Sequence, residues 1–500
     1  MRPGSPDASV RRLLLPLPLL AAAAACDEPA EVERTSGRPL NVVLFVVDDL
    51  GWRDAGVLGS DFYETPAIDS LAAEGVRFNR FYAASPVCSP TRASLMTGRH
   101  PARVRITNWI GGEQAGALLQ ADYRRELPLA ETTLGEAFAA HGYATGYVGK
   151  WHLGATDEHL PIRQGFEYTG LVNRAGQPGS YFPPYRNEDW PITDVPGLAD
   201  DPPDAYLTDR LTDHAVAFLE RSHERPFLLV LSHYAVHTPL QAPEGEVEPY
   251  REKARALPAA DVVTESESGR SSTKVRQDHA VYAAMVASVD RSLSRLRWAL
   301  DSLGVGGHTA IVFVSDNGGL STLAGDRGER APTANRPLRA GKGWLYEGGI
   351  RVPMIVRWPD AALSATAVDV PAMTTDVFPT LLEMAGLDPL PGSHVDGSSL
   401  APLLTGERST HTERELYGHF PHYHGSGNRP SGAVLSGDYK LVEWFESGDV
   451  ELYDLAADPG ESHDLAAVLP GETEILSRRL AAWRDSVGAT MPSPNPDWEP

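Results

Sequence analysis

Asn41-Val42-Val43-Leu44-Phe45-Val46-Val47 is, after its first residue, an unbroken β-branched and apolar run, and it ends abruptly in Asp48-Asp49-Leu50-Gly51. Runs of this kind are strands buried on both faces, as at the centre of a parallel sheet. Far downstream, Thr309-Ala310-Ile311-Val312-Phe313-Val314-Ser315 repeats the design and ends in Asp316-Asn317-Gly318-Gly319. In open α/β sheets, ligands sit outside the carboxyl ends of the strands. Two central strands with oxygen-rich tips therefore point to one shared site. The hard oxygen donors Asp48, Asp49, Asp316 and Asn317 suit calcium, or magnesium, and not zinc or copper. Asp-Asn-Gly-Gly alone is a hairpin-turn signal, and paired aspartates after a strand can cap a helix. Neither explains why both strand ends carry acids that repel each other without a cation.

More strand-like runs carry chemistry at their ends. Tyr143–Gly149 leads to Lys150-Trp151-His152-Leu153-Gly154, and Pro226–Leu231 leads to Ser232-His233-Tyr234-Ala235-Val236-His237-Thr238-Pro239. Leu338-Arg339-Ala340-Gly341-Lys342-Gly343 precedes Tyr346-Glu347-Gly348-Gly349-Ile350-Arg351-Val352-Pro353. A lone histidine or lysine at such a place is more often a loop residue than a catalyst. Ala84–Arg99 adds a cysteine between two prolines, followed by a short helical segment ending at Gly98. Pro90 suits the first helical position, which puts Cys88 at a helix N-terminus where free N–H groups favour an anion. Arg92, one turn on, adds positive charge on the same side.

Composition narrows the class. At 500 residues, a large domain plus a smaller one is expected. A hydrophobic fraction of 42% with 22% charged residues describes a soluble globular chain. The net charge of −23 excludes nucleic acid as a partner, and it requires a local basic patch for any anionic substrate. Arg11-Arg12 followed by the apolar run Leu13–Ala25 reads as a secretory signal peptide over residues 1–26, too short to span a bilayer. Ala24-Ala25-Cys26 resembles a bacterial lipobox, with Ala23 where that pattern prefers leucine, so lipid anchoring and plain secretion are both open. Residues 27–39 form a polar tether. The chain is thus expected to be exported, to a bacterial cell envelope or periplasm, and to meet a membrane only through an N-terminal lipid anchor. Exported proteins use cysteines for disulfides. This chain has two cysteines, and loss or lipidation of Cys26 leaves Cys88 without a partner. A lone cysteine is usually a buried small hydrophobe; an exported chain that keeps one is a candidate for special chemistry there.

Cys88-Ser89-Pro90-Thr91-Arg92 with Thr97-Gly98 resembles the signature of the type I sulfatases, whose cysteine is oxidised to formylglycine. The Gly149–Gly154, His237-Thr238-Pro239 and Gly341-Lys342-Gly343 segments resemble that family's other motifs, in the family's order. Leu452-Tyr453-Asp454-Leu455 with Asp458-Pro459-Gly460-Glu461 resembles its C-terminal subdomain, so the resemblance runs from about Asn41 to Val487. It implies an α/β fold: a large mixed, mainly parallel sheet sandwiched by helices, alkaline phosphatase-like, with a small C-terminal α+β subdomain of antiparallel sheet plus helix. Expected boundaries are 40–410 for the catalytic domain and 411–490 for the subdomain. Carried over, the metal ligands are Asp48, Asp49, Cys88, Asp316 and Asn317, and the catalytic residues are Cys88, Arg92, Lys150, His152, His237 and Lys342. The implied reaction is hydrolysis of a sulfate monoester. One hydroxyl of the hydrated formylglycine attacks sulfur and displaces the alcohol; the other loses its proton as the C–O bond breaks, expelling sulfate and restoring the aldehyde. His152 contacts the formylglycine hydroxyl, and His237 with Lys342 protonates the leaving oxygen. Maturation implies a formylglycine-generating enzyme as partner. Two other readings stand beside this one: a phosphomonoester or phosphonate hydrolase of the same superfamily, and a non-catalytic envelope protein that binds sulfated glycans.

The expected substrate is a sulfated small molecule or glycan, with sulfated carbohydrate favoured. Arg327, Arg330, Arg336 and Arg339 form one candidate patch for a sugar carboxylate or second sulfate, and His419, His422, His424 and Arg429 form another. Residues 157–203, rich in Pro, Gly, Tyr and Asn, are a candidate substrate lid. The charged, Ser-rich stretch 252–276 is expected to be a mobile surface excursion. Ala280–Leu303 reads as an amphipathic helix with Met285, Val289, Leu293, Leu296 and Leu300 inward. Four short strands from Leu416 to Leu455 and a helix over 472–486 are expected at the C-terminus, with Leu476, Leu480, Ala481 and Trp483 facing inward.

Overall fold

A computed structural model describes residues 39–198, 200–260, 262–267, 269–406 and 414–499. The signal-peptide and tether assignments, Pro39 apart, lie outside the described residues. Asn41–Val47 is a strand buried along its whole length. Its parallel neighbours are Thr309–Ser315, in register Val47 to Ser315, and Phe227–Ser232. Successive side chains of a strand point to opposite faces. Val43, Phe45 and Val47 accordingly enter one core with the helices Leu207–Ser222 and Ala280–Ser302. Val42, Leu44 and Val46 enter the other, with Leu95 and Met96 of the helix Cys88–Thr97 and Leu381 and Leu382 of the helix Val377–Ala385. The long apolar run is thus explained by a strand with helices on both faces.

The full sheet has eight strands in the order 366–368, 76–78, 354–357, 309–315, 41–47, 227–232, 144–149 and 168–170. Only Met354–Arg357 runs against the rest. A second, antiparallel sheet follows, made of Leu416–Phe420, Ser431–Ser436, Tyr439–Trp444 and Val450–Asp454. One of its faces holds the helix Pro470–Val487 through Val434, Leu441, Leu452, Leu476 and Leu480. The other packs Trp444 and Val442 on Val87, Tyr82, Trp344 and Tyr346, next to Cys88 and Lys342 in sequence. The architecture is the expected one, and the described residues form one compact unit.

Several local expectations change. The stretch 252–276 is structured: it completes the helix Glu244–Ala256 and then forms the strands Thr264–Glu267 and Ser271–Lys274, the latter paired with Thr322–Ala324. Serines and threonines there satisfy backbone groups, as Ser272 Oγ does by donating to the Gly325 carbonyl at 2.7 Å, so part of the polarity serves hydrogen bonding within the fold. Ala481 faces solvent, while Trp483 stacks on Tyr417 at 4.6 Å. The cysteine-bearing helix begins at Cys88 itself, with Pro90 its third residue. The first-turn N–H groups have no intrahelical partner, so a proline fits there as well.

Candidate active site

The carboxyl ends of the central strands deliver the acids. Asp48 and Asp49 follow Val47, and Asp316 and Asn317 follow Ser315, the residue registered against Val47. All four are buried. The Asp49 amide donates to Asp316 Oδ1 at 3.2 Å, and Leu50 N donates to Ser315 Oγ at 3.1 Å, which locks the two strand tips together. Asp49 sits at φ 61°, a left-handed conformation that aspartate tolerates better than most residues. Its carbonyl accepts from Tyr282 Oη at 3.2 Å, and that hydroxyl also donates to the buried Asp54 at 2.5 Å.

Cys88 comes from the first turn of its helix, reaching the same point. Its Sγ lies 3.5 Å from Asp48 Oδ1 and 3.5 Å from Lys342 Nζ. Ligand atoms of Asp48, Asp49, Cys88 and Asp316 all lie within 4.8 Å of one another. Each acid has a cation. Lys150 Nζ contacts Asp48 Oδ2 at 2.5 Å. Lys342 Nζ straddles Asp49, at 2.6 and 2.8 Å from its two oxygens. Arg92 Nε donates to Asp316 Oδ2 at 2.8 Å, and Nη1 donates to the Lys150 carbonyl and to Ser232 Oγ. Arg92 is thus spent on Asp316 and the neighbouring strand ends; its charge acts through that aspartate.

The electrostatics follow from burial and crowding. Burial and then Asp316 push the Asp48 carboxyl up to about 8, against the pull of Lys150. Burial would raise Asp49 too, but the Lys342 ammonium holds it below the usual carboxylate range. Burial pushes the Cys88 thiol up to about 12, so the unmodified cysteine is a poor nucleophile at neutral pH. Asp49 keeps Lys342 protonated despite its burial. Desolvated acids crowded this closely favour a further positive charge beside them.

The residues fit a hard cation. Asn317 Nδ2 donates to Asp49 Oδ1 at 2.8 Å and to the Gly318 carbonyl at 3.0 Å, both of which can only accept. That fixes the amide's orientation and leaves Asn317 Oδ1 buried without a hydrogen-bond partner. An orphaned acceptor beside three carboxylates is the donor chemistry of calcium or magnesium. Asp48, Asp49, Asp316 and Asn317 are the residues that could hold one, with the atom at position 88 beside them.

The two histidines differ. His152 Nε2 donates to the Ile110 carbonyl at 3.1 Å, leaving Nδ1 a buried acceptor without a partner. Burial and Lys150 keep its pKa well below the ordinary value. His237 Nδ1 donates to the Thr238 carbonyl at 2.9 Å, and Nε2 lies 3.7 Å from Asp49 Oδ2. Burial and Lys342 push its pKa down to about 3, so both rings are neutral and present an acceptor nitrogen.

A cavity of ≈ 980 Å³ opens over Asp49, Cys88, His152, His237 and Lys342. Of the histidine patch only His424 lines it; His419 and His422 are buried, donating to or sharing protons with Thr490 and Thr107. None of Arg327, Arg330, Arg336 and Arg339 lines it. Arg339 forms a fork on Glu267 and stacks on Tyr346, and Arg336 pairs with Glu265. These arginines join the segment to its neighbours, which composition alone does not reveal. Part of 157–203 does reach the cavity, through Arg174, Gln177, Trp190, Ile192 and Thr193. Trp109 and Arg124 also line it, from a stretch that carries no motif.

A mainly parallel sheet whose strand tips carry three carboxylates and Lys150, met there by Cys88 and Lys342 below an open cavity, is an α/β site suited to a hard cation and an anionic ester. The chain belongs to the sulfatase family, whose model matches residues 40–387. A model described as N-sulphoglucosamine sulphohydrolase, C-terminal, matches residues 340–480. Among curated relatives, mouse (Mus musculus) steryl-sulfatase is 30% identical over 92% of this chain and 84% of its own. Pig (Sus scrofa) N-acetylgalactosamine-6-sulfatase is 31% identical over 85% of this chain and 76% of its own. The crystal structure of Ps i-CgsB in complex with k-i-k-neocarrahexaose matches with a TM-score of 0.73 at 28% identity, covering 89% of this chain and 93% of that one. The chain is accordingly an enzyme that hydrolyses sulfate esters.

Proposed function

We propose that this sulfatase acts on sulfated carbohydrates, with formylglycine formed from Cys88 and a divalent cation, calcium or else magnesium, at its centre. The observation that carries the site reading is the convergence on one atom: Cys88 Sγ, 3.5 Å from both Asp48 and Lys342, amid three carboxylates. The carbohydrate reading is supported by the N-acetylgalactosamine-6-sulfatase relative, by the neighbour solved with k-i-k-neocarrahexaose and by a cavity large enough for more than a single ring. Oxidised and hydrated, position 88 supplies a hydroxyl to attack sulfur and a second hydroxyl that allows sulfate to leave. The cation supplies Lewis acidity and positive charge for the sulfate oxygens.

The chain's own residues supply the rest. His152 Nδ1, an acceptor lacking a partner in the cavity it shares with position 88, takes the proton of a hydroxyl there. Lys342, held protonated by Asp49, has a proton to give, and neutral His237 relays one at Nε2; together they serve the leaving oxygen. Lys150 and Arg92 keep Asp48 and Asp316 oriented and add fixed charge below the sulfate. The chain is further proposed to be exported to a bacterial cell envelope, matured by a formylglycine-generating enzyme, and organised as a catalytic region 40–410 with a subdomain over 411–490.

The test is a mass measurement of the peptide containing residue 88, with turnover of phenyl sulfate, phenyl phosphate and sulfated monosaccharides. Formylglycine at position 88, sulfate turnover exceeding phosphate turnover and loss of turnover in Cys88→Ala are expected. An unmodified cysteine in the active enzyme overturns the mechanism; activity on the phenyl esters alone overturns the carbohydrate reading.

A further inference from the structure

The cavity continues well beyond the acids, and its outer lining has a composition of its own. Trp109 and Trp190 line it, with Ile192, and Trp190 is 53% exposed. Three arginines line it as well. Arg174 pairs with Asp157, and Arg125 pairs with Glu113 at 2.5 Å. Arg124 has no ion pair among the described residues, in a protein whose net charge is −23. Unpaired cationic side chains in a ligand cavity are what recognition of an anion requires.

Arg124 also stands on a fixed support. Its amide donates to the Arg105 carbonyl at 2.6 Å, and Leu127 N donates to the Leu153 carbonyl at 2.8 Å. Just before Arg124, the buried Tyr123 donates to the Gly112 carbonyl at 2.9 Å. That binds the segment to 109–112, whose Ile110 amide donates to Ser89 Oγ at 3.0 Å and whose Ile110 carbonyl accepts from His152. The backbone carrying Trp109 is therefore tied to the residue after Cys88 and to His152, and that carrying Arg124 is tied to it through Tyr123. A sugar placed by its reacting sulfate meets this wall in a set position.

We infer that the outer cavity is a subsite for a second anionic group of the substrate, a carboxylate or a second sulfate, bound by the Arg124 guanidinium, with Trp109 and Trp190 offering flat apolar faces to sugar rings. This rests on the carbohydrate-sulfatase reading above and narrows it to substrates with at least two anionic groups. The subsite replaces the arginine patch of residues 327–339, none of which lines the cavity and of which Arg336 and Arg339 are held by Glu265 and Glu267.

The experiment compares the full-length enzyme with Arg124→Gln on three probes: N-acetylgalactosamine 6-sulfate, a disulfated monosaccharide, and a 6-sulfated disaccharide bearing a uronate. Affinities for the same probes are measured by calorimetry in Cys88→Ala and in Cys88→Ala with Arg124→Gln, so binding is read without turnover. The dianionic probes are expected to bind at least about tenfold tighter than the monosulfate, the scale of one charge-assisted contact. That preference is expected to collapse in both Arg124→Gln proteins, through KM and not kcat. Loss for the disulfated probe alone identifies a sulfate subsite, and loss for the uronate probe alone a carboxylate subsite. An unchanged preference, equal loss on all three probes, or no preference to begin with overturns the subsite. Absence of both turnover and binding for every sugar sulfate instead overturns the carbohydrate reading on which it stands.

Discussion

Lys342 is the most heavily committed side chain of the site: it neutralises Asp49, approaches position 88 and lines the cavity. Lys342→Met keeps the length and removes the charge. Turnover of the folded enzyme is expected to fall by about 10²–10⁴-fold, the scale of a positioned proton donor, and the melting temperature to drop as well because Asp49 loses its cation; a kinetic loss below tenfold would refute its role at the leaving oxygen. Arg92 differs, because its partners are Asp316, the Lys150 carbonyl and Ser232. Arg92→Leu strands a buried carboxylate, so a stability loss of about 3–5 kcal/mol is expected in urea unfolding, beyond any kinetic effect. The types of these residues were legible from the sequence, but their pairings were not. A motif orders residues along the chain, while Arg92 and Asp316 are joined by the packing of a helix against a strand tip.

Among the elements, the tips of Asn41–Val47 and Thr309–Ser315 are joined to the segment carrying Lys342 by glycines in near contact. A Cβ at Gly318 would lie 2.0 Å from the Gly348 carbonyl oxygen, which the surrounding backbone cannot yield. Gly318 N donates to the Gly349 carbonyl at 2.9 Å, and Lys342 N donates to that of Gly319 at 3.1 Å. Gly318→Ala is expected to cost about 1–3 kcal/mol, the scale of overpacking, and to lower kcat by moving Lys342 relative to Asp49. Unchanged melting and activity would show that the two segments move independently. The run Asp316-Asn317-Gly318-Gly319 therefore reads two ways at once, as ligands and as a close backbone crossing. Its strand could be read from periodicity; the crossing partner, some 30 residues on, could not. The paired strands Thr264–Glu267 and Ser271–Lys274 escape a local reading for a similar reason, since the pairing with Thr322–Ala324 lies about 50 residues away.

At the scale of the whole molecule, the antiparallel sheet is seamed to the catalytic body by buried histidines. His100 Nε2 donates to the Tyr417 carbonyl at 2.8 Å and its ring packs edge-on against Trp483; His422 bonds Thr107 at 2.8 Å. Burial pushes His100 and His419 down to about 4 and His422 to about 3. The unfolded chain, with values near 6.5, takes up these protons first. The histidines' contribution is thus complete above about pH 6.5 and is lost as the pH falls through their folded values. Melting temperature is expected to fall from pH 6.5 to 4, and His422→Gln to flatten that slope; parallel slopes would exclude the seam as the sensor. Cation removal acts on the same body from the other side. With Asp48, Asp49 and Asp316 forced together, chelation is expected to lower stability by about 2.7 kcal/mol relative to cation held at a hundredfold over its Kd. Calcium or magnesium should restore it, and a melting curve indifferent to chelator would argue against a bound ion.

The sequence alone determined what is written in local order: the doubly buried strands, from their unbroken apolar runs; the acidic, lysine and histidine strand ends, from their motifs; the C-terminal strands and helix, from their period. Tertiary structure alone decided which charges are spent on one another and which remain for a ligand. Arg327–Arg339 and Arg124–Arg125 look alike as text. Arg336 and Arg339 are held by glutamates brought from elsewhere in the fold, while Arg124 is left unpaired over the cavity. Pairing depends on distance in space, which no spacing along the chain encodes.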